Sequence, residues 1–178
     1  FMFRGSIVPV VTPFKNGEVD FDGLARLIEW QIASGSHGIS VTGTTGEAPT
    51  LTDDERFALY EAAVDEVGDR ATVVAGTGTY DTRHSIHLTE RAHAIGVDGV
   101  LGVPPDYNKP PPRGIVAHVE AIAAATDRAV IFYDIPSRVV VDVEPATIAR
   151  LAEIDNVRAV KQAKPSLDAA RNVVACGL

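Results

Sequence analysis

The chain has 178 residues, 46% of them hydrophobic and 6% aromatic, which is enough apolar material for a single domain with a real core. Its formal charge of −8 argues against a nucleic-acid partner, because phosphate binding calls for a basic face. No run of 18 apolar residues occurs and the opening Phe1-Met2-Phe3-Arg4-Gly5-Ser6 lacks the apolar segment of a signal peptide, so no membrane is expected and a cytoplasmic location is.

Apolar, strand-like runs begin near Ile7, Gly38, Ala71, Asp98, Ala129 and Val157. They recur about every thirty residues, which is the period of a βα unit, here repeated six times. The segments between them carry helical periodicity: Leu24, Leu27, Ile28 and Ile32, then Phe57, Tyr60, Val64 and Val67, then Ile115, Val119 and Ile122. Start signals agree. Thr52-Asp53-Asp54-Glu55 reads as a capping box, Pro145 suits a first helical turn, and Ser166 can cap a last helix that stops at Gly177. Pro104-Pro105 and Pro110-Pro111-Pro112 stiffen a long loop after the fourth strand.

Parallel strands joined by helices leave two architectures, a doubly wound open sheet or a (βα)8 TIM barrel. The G-x-G-x-x-G fingerprint of the first is absent, since the first strand runs into Thr12-Pro13-Phe14. The expectation is therefore an α/β chain, residues 1–178 forming one incomplete barrel domain with about six βα units and its C-terminal part missing.

Chemistry in either architecture gathers at the carboxyl ends of the strands. The second strand runs into Gly43-Thr44-Thr45-Gly46-Glu47, where glycines allow a sharp turn and two hydroxyls stand ready to bind an anion or relay a proton; an ordinary turn is the plain alternative. The fourth leads to Asp106-Tyr107-Asn108. The fifth ends in Tyr133-Asp134-Ile135-Pro136-Ser137-Arg138, a candidate acid/base hydroxyl with a carboxylate-binding cation close behind, or else a core tyrosine and a surface arginine. The sixth, Val157-Arg158-Ala159-Val160-Lys161, closes on a lysine. A packed strand would partly desolvate its amine, disfavour the ammonium and free the nitrogen to attack a carbonyl; the alternative is a solvated lysine closing a strand. His37, His84, His87, His93 and His118 show no metal spacing and read as solvated positions, so no metal is expected. Cys176, the only cysteine, reads as small core filler.

Gly43-Thr44-Thr45-Gly46-Glu47, Tyr133-Asp134-Ile135-Pro136-Ser137-Arg138 and Lys161 together resemble the dihydrodipicolinate synthase branch of the pyruvate-dependent class I aldolases. Gly5-Ser6-Ile7-Val8, Val11-Thr12-Pro13-Phe14 and Gly76-Thr77-Gly78 are similar to the same family, so the likeness spans the chain. The resemblance implies a barrel enzyme without a cofactor that joins pyruvate to aspartate semialdehyde on the way to diaminopimelate and lysine, working as a homodimer or homotetramer. It implies Lys161 as the Schiff-base lysine, Tyr133 as its acid/base partner, and Thr44 with Tyr107 as a proton relay, Tyr107 reaching in from a neighbouring subunit. Thr45, in the turn made by Gly43 and Gly46, would hold the pyruvate carboxylate and Arg138 that of the semialdehyde.

Three positions depart from the family pattern: Asp134 for asparagine, Asp106 for a second tyrosine, and Gln162 for glutamate. Gln162 and Lys164 change the charge near the nucleophile, and sister branches acting on N-acetylneuraminate or 2-keto-3-deoxy sugar acids share its lysine and tyrosine. Arg138 favours the synthase, because a carboxylate needs a cation that a polyol does not. At the positions where lysine-inhibited members hold their inhibitor stand Ala48, Asp53, Arg56, Tyr80, His84 and Asp106, a set from which the serine and glutamate are missing.

Overall fold

A computed structural model describes residues 3–178. The repeat read from the sequence becomes the main strands β1 (Ile7–Pro9), β4 (Gly38–Val41), β5 (Thr72–Gly76), β6 (Gly99–Gly102), β7 (Ala129–Asp134) and β8 (Val157–Gln162). Between them lie α1 (Phe21–Ala33), α2 (Asp53–Val67), α3 (Thr82–Ile95), α4 (Pro112–Ala124), the short α5 (Pro136–Val139) and α6 (Pro145–Leu151), followed by α7 (Leu167–Ala175). A hairpin of β2 (Phe14–Lys15) and β3 (Glu18–Val19) is an addition to the expected pattern. Its cause is local: Asn16 and Gly17 both take positive φ, as a two-residue hairpin turn demands. The capping box at Thr52 and Glu55 and the cap at Ser166 form as read.

The described residues divide into two compact units. One runs to Thr77 and includes Arg91–Val100; the other joins Gly78–Glu90 to Leu101–Leu178. In the first, β1 pairs in parallel with β4, and β4 with β5. All four residues of β4 are buried, the pattern of a parallel strand covered on both faces. Leu24 and Ile28 of α1 and Leu59, Tyr60, Ala63 and Val67 of α2 fill this core. Phe57 and Val64, expected on the inner stripe of α2, are only half-buried.

In the second unit β7, buried along its whole length, pairs in parallel with β8. The ladder begins at Val130↔Val157 but resumes at Ile131↔Ala159, so Arg158 is an extra residue in β8. Beyond this bulge Tyr133 lies opposite Lys161 and Asp134 opposite Gln162. An unbroken register would have set Lys161 beside Asp134, one step along and on the other face. Cys176 caps the end of α7, half-buried rather than in the core.

His118 departs from the expected solvated state. It lies on the inner stripe of α4 with Ile115, Val119 and Ile122, and its Nδ1 is 2.8 Å from the Thr82 hydroxyl. Burial pushes its pKa down from 6.5 to about 4, against the opposing pull of the Val103 backbone and of Asp81. The neutral ring belongs to the folded state, so the unfolded chain binds the extra proton first. Stability is therefore expected to fall as the pH drops from about 6.5 towards 4, by roughly 3 kcal/mol at the lower end. Urea titrations of wild type and His118→Gln across that range test this, because the variant should lose that part of the slope.

Candidate active site

Lys161 and Tyr133 sit on adjacent strands at matched positions, the lysine Nζ 4.2 Å from the centre of the tyrosine ring. Tyr133 is buried and Lys161 half-buried. Burial lowers the lysine pKa, which raises the share of free amine. The face of the Tyr133 ring attracts the ammonium and opposes this shift. Burial raises the pKa of Tyr133, with Arg138 pulling the other way, so the hydroxyl keeps its proton and can donate it. A partly desolvated amine and a protonated hydroxyl on the adjoining strand are what carbonyl addition requires.

The chain leaves β7 through Ile135 and turns into α5, which carries Arg138 exposed at its end. Arg138 lines a cavity of about 580 Å³ together with Asp106, Tyr107, Lys109 and Val140. Tyr107, 86% exposed, has most of its ring outside any packing of its own chain. The structure thus brings Lys161 to Tyr133, and Arg138 to Tyr107.

The Gly43–Gly46 segment lies in the other unit, at the carboxyl end of β4. The amides of Gly46 and Ala48 donate to the Gly43 carbonyl and that of Glu47 to Thr44, while the Thr12 hydroxyl donates to the Gly46 carbonyl at 2.7 Å. These amides are spent on the turn, so ligand contact rests on the exposed hydroxyls of Thr44 and Thr45 and the amides ahead of Gly46. Gly76 explains how the turn packs. A Cβ there would lie 2.2 Å from the Thr42 carbonyl oxygen, so the ends of β4 and β5 meet only because residue 76 has no side chain. The Gly76 carbonyl in turn accepts from Thr42 and Tyr60 hydroxyls, which anchors the start of the turn.

One polar cluster was only half legible. Behind Lys161, fully buried Asp134 accepts from the Gln162 amide at 3.1 Å and pairs with Lys164 at 3.2 Å. The Lys164 ammonium also meets Asp142 at 2.5 Å and the Val143 carbonyl at 2.6 Å. Burial pushes the Asp134 carboxyl up, against Gln162 and Lys164. For Lys164, burial pulls the pKa down, but Asp142 and Asp134 outweigh it and hold the ammonium above the usual lysine value. The cation that looked in the sequence like added charge beside the nucleophile is thus neutralised by two carboxylates. Asp142 carries no sequence signal, being one of two acids, with Glu144, in the loop between α5 and α6.

Among the described residues no three His, Cys, Asp or Glu side chains are grouped to hold a metal ion, and no helix is long and apolar enough to cross a membrane. The model of the Dihydrodipicolinate synthetase family matches residues 2–176. The chain belongs to this family. It is 48% identical over 177 residues to the 4-hydroxy-tetrahydrodipicolinate synthase of Syntrophobacter fumaroxidans, covering 99% of this chain and 61% of that protein. The crystal structure of dihydrodipicolinate synthase from Aquifex aeolicus superposes with a TM-score of 0.94 at 44% identity, over 97% of this chain and 59% of that one. The chloride-inhibited family member from Acinetobacter baumannii, crystallised with pyruvate, does so at 0.94 and 39%, over 97% and 60%. The chain therefore spans about three fifths of the length of the relatives it matches.

Proposed function

We propose that this chain is the catalytic part of a (βα)8-barrel 4-hydroxy-tetrahydrodipicolinate synthase, acting on pyruvate and aspartate semialdehyde. The observation that carries the reading is the half-buried Lys161 amine against the Tyr133 ring. The barrel is supported by strand pairing that follows chain order within each unit, where a doubly wound sheet would reverse. In this reading residues 1–178 belong to one barrel domain of a cytoplasmic homodimer or homotetramer.

The Lys161 amine attacks C2 of pyruvate, Tyr133 supplies a proton to the departing oxygen, and water leaves as the imine forms. Loss of a C3 proton gives the enamine, whose C3 bonds to the aldehyde carbon of the semialdehyde. The amino group of that substrate then displaces the lysine from C2 as the ring closes, and the Lys161 amine is released. Thr44 and Tyr107 relay protons, with the outward Tyr107 ring suited to a neighbouring subunit's site. Thr45, presented by the Gly43 and Gly46 turn, receives the pyruvate carboxylate, and Arg138 that of the semialdehyde. Incubation with pyruvate and borohydride, followed by peptide mass mapping, tests the reading: the adduct belongs on Lys161, and its absence from that residue would refute it.

Feedback by lysine is expected to be weak or absent. Arg56 is buried, its guanidinium donating to the Ala48 carbonyl, where a cationic inhibitor would need acceptors rather than another cation. Initial rates should stay flat as lysine is raised to millimolar levels, and saturable inhibition below that would overturn the expectation.

A further inference from the structure

Lys164 joins three segments that the proposed chemistry needs in fixed relation. Through Asp134 it reaches the end of β7, next in sequence to Tyr133. Through its own backbone it belongs to the exit of β8, three residues past Lys161, where its amide donates to the Gln162 side chain at 2.7 Å. Through Asp142 and the Val143 carbonyl it holds the stretch that follows α5 and Arg138. The Ala163 amide adds a backbone bond to the Asp134 carbonyl at 2.9 Å. Three bonds thus reach Asp134 at the β7 exit, one each from Gln162, Ala163 and Lys164. The Lys164 side chain is only 16% exposed, and that of Asp134 is fully buried.

Simple charge compensation of Asp134 would need one cation and nothing more. The other two N–H donors of the ammonium are taken by Asp142 and the Val143 carbonyl, which ties a third segment to the pair, and this points to a second role. We propose that Lys164 is a positioning residue that locks the exit of β8 to the exit of β7 and to the Arg138-bearing segment, holding the Lys161 amine and Arg138 in working geometry. It acts through Lys161 and Arg138 and touches no reacting atom. The catalytic consequence rests on the function proposed above; the locking itself does not.

Lys164→Met, Asp134→Asn and the double variant Asp134→Asn/Lys164→Met, made in the protein that carries this chain, separate the two roles. Removing the lysine alone leaves a buried, unpaired carboxylate, so Lys164→Met should melt well below wild type. The double variant removes that charge and should recover most of the melting temperature, yet it still lacks the ties to Asp142 and Val143. Its borohydride trapping of pyruvate at saturation should therefore remain down roughly ten- to a hundredfold, the scale of a small misplacement of a reacting group. Its KM for the aldehyde substrate should remain raised, and the amides of Ala163 and Lys164 should exchange hydrogen faster than in wild type. Recovery of trapping together with melting temperature in the double variant would reduce Lys164 to charge compensation and overturn the proposal. A wild type that forms no pyruvate adduct would defeat the functional reading instead; amide exchange then decides the locking alone, and wild-type protection in the double variant would overturn it.

Discussion

Lys161→Ala is expected to abolish the borohydride-trappable adduct with pyruvate and, with it, turnover. The argument is one of place. Lys161 is partly desolvated beside a protonated tyrosine, which favours the free amine, whereas the other cation of the cluster, Lys164, is held as an ammonium by Asp134 and Asp142. An ammonium has no lone pair to offer a carbonyl, so Lys164 cannot stand in. The loss should thus be complete rather than partial. Peptide mapping after reduction reads it directly, and labelling that persists at wild-type level in the variant would show that the nucleophile lies elsewhere.

Tyr133→Phe should keep the fold and lose the chemistry. The ring that lies 4.2 Å from the lysine nitrogen is preserved, so the packing of Lys161 is retained and only the hydroxyl goes. Loss of one general acid/base group costs about 10² to 10⁴ in rate. The fall should appear in kcat and in the rate of imine formation, with a melting temperature close to wild type. Wild-type kcat in Tyr133→Phe would remove the tyrosine from the mechanism and leave Lys161 to be served by another proton donor.

Much of the scaffold was legible because its causes are local. Apolar runs spaced by helical segments announced six parallel strands, and the side-chain chemistry of Thr52, Glu55 and Ser166 announced helix starts that formed as read. The β2–β3 hairpin is equally local, because Asn16-Gly17 is a hairpin turn signal. His118 departs from the solvated state expected of its residue type for a related reason. Its spacing from Ile115, Val119 and Ile122 places it on the buried face, so position outweighs the polar character of the side chain.

The candidate site divides along the same line. Residue types at strand ends, Lys161, Tyr133, Arg138 and the threonines between Gly43 and Gly46, were determined by the sequence alone, because a strand end is where a parallel α/β chain presents its chemistry. Which of them meet was decided only in three dimensions. The extra residue at Arg158 moves β8 by one step, so that Lys161 faces Tyr133 instead of standing beside Asp134. That same step sets Gln162 against Asp134 and lets Lys164 gather Asp134, Asp142 and Val143 around its ammonium. Pairing between strands almost thirty residues apart depends on the packing of both, and no local pattern around Arg158 carries that information.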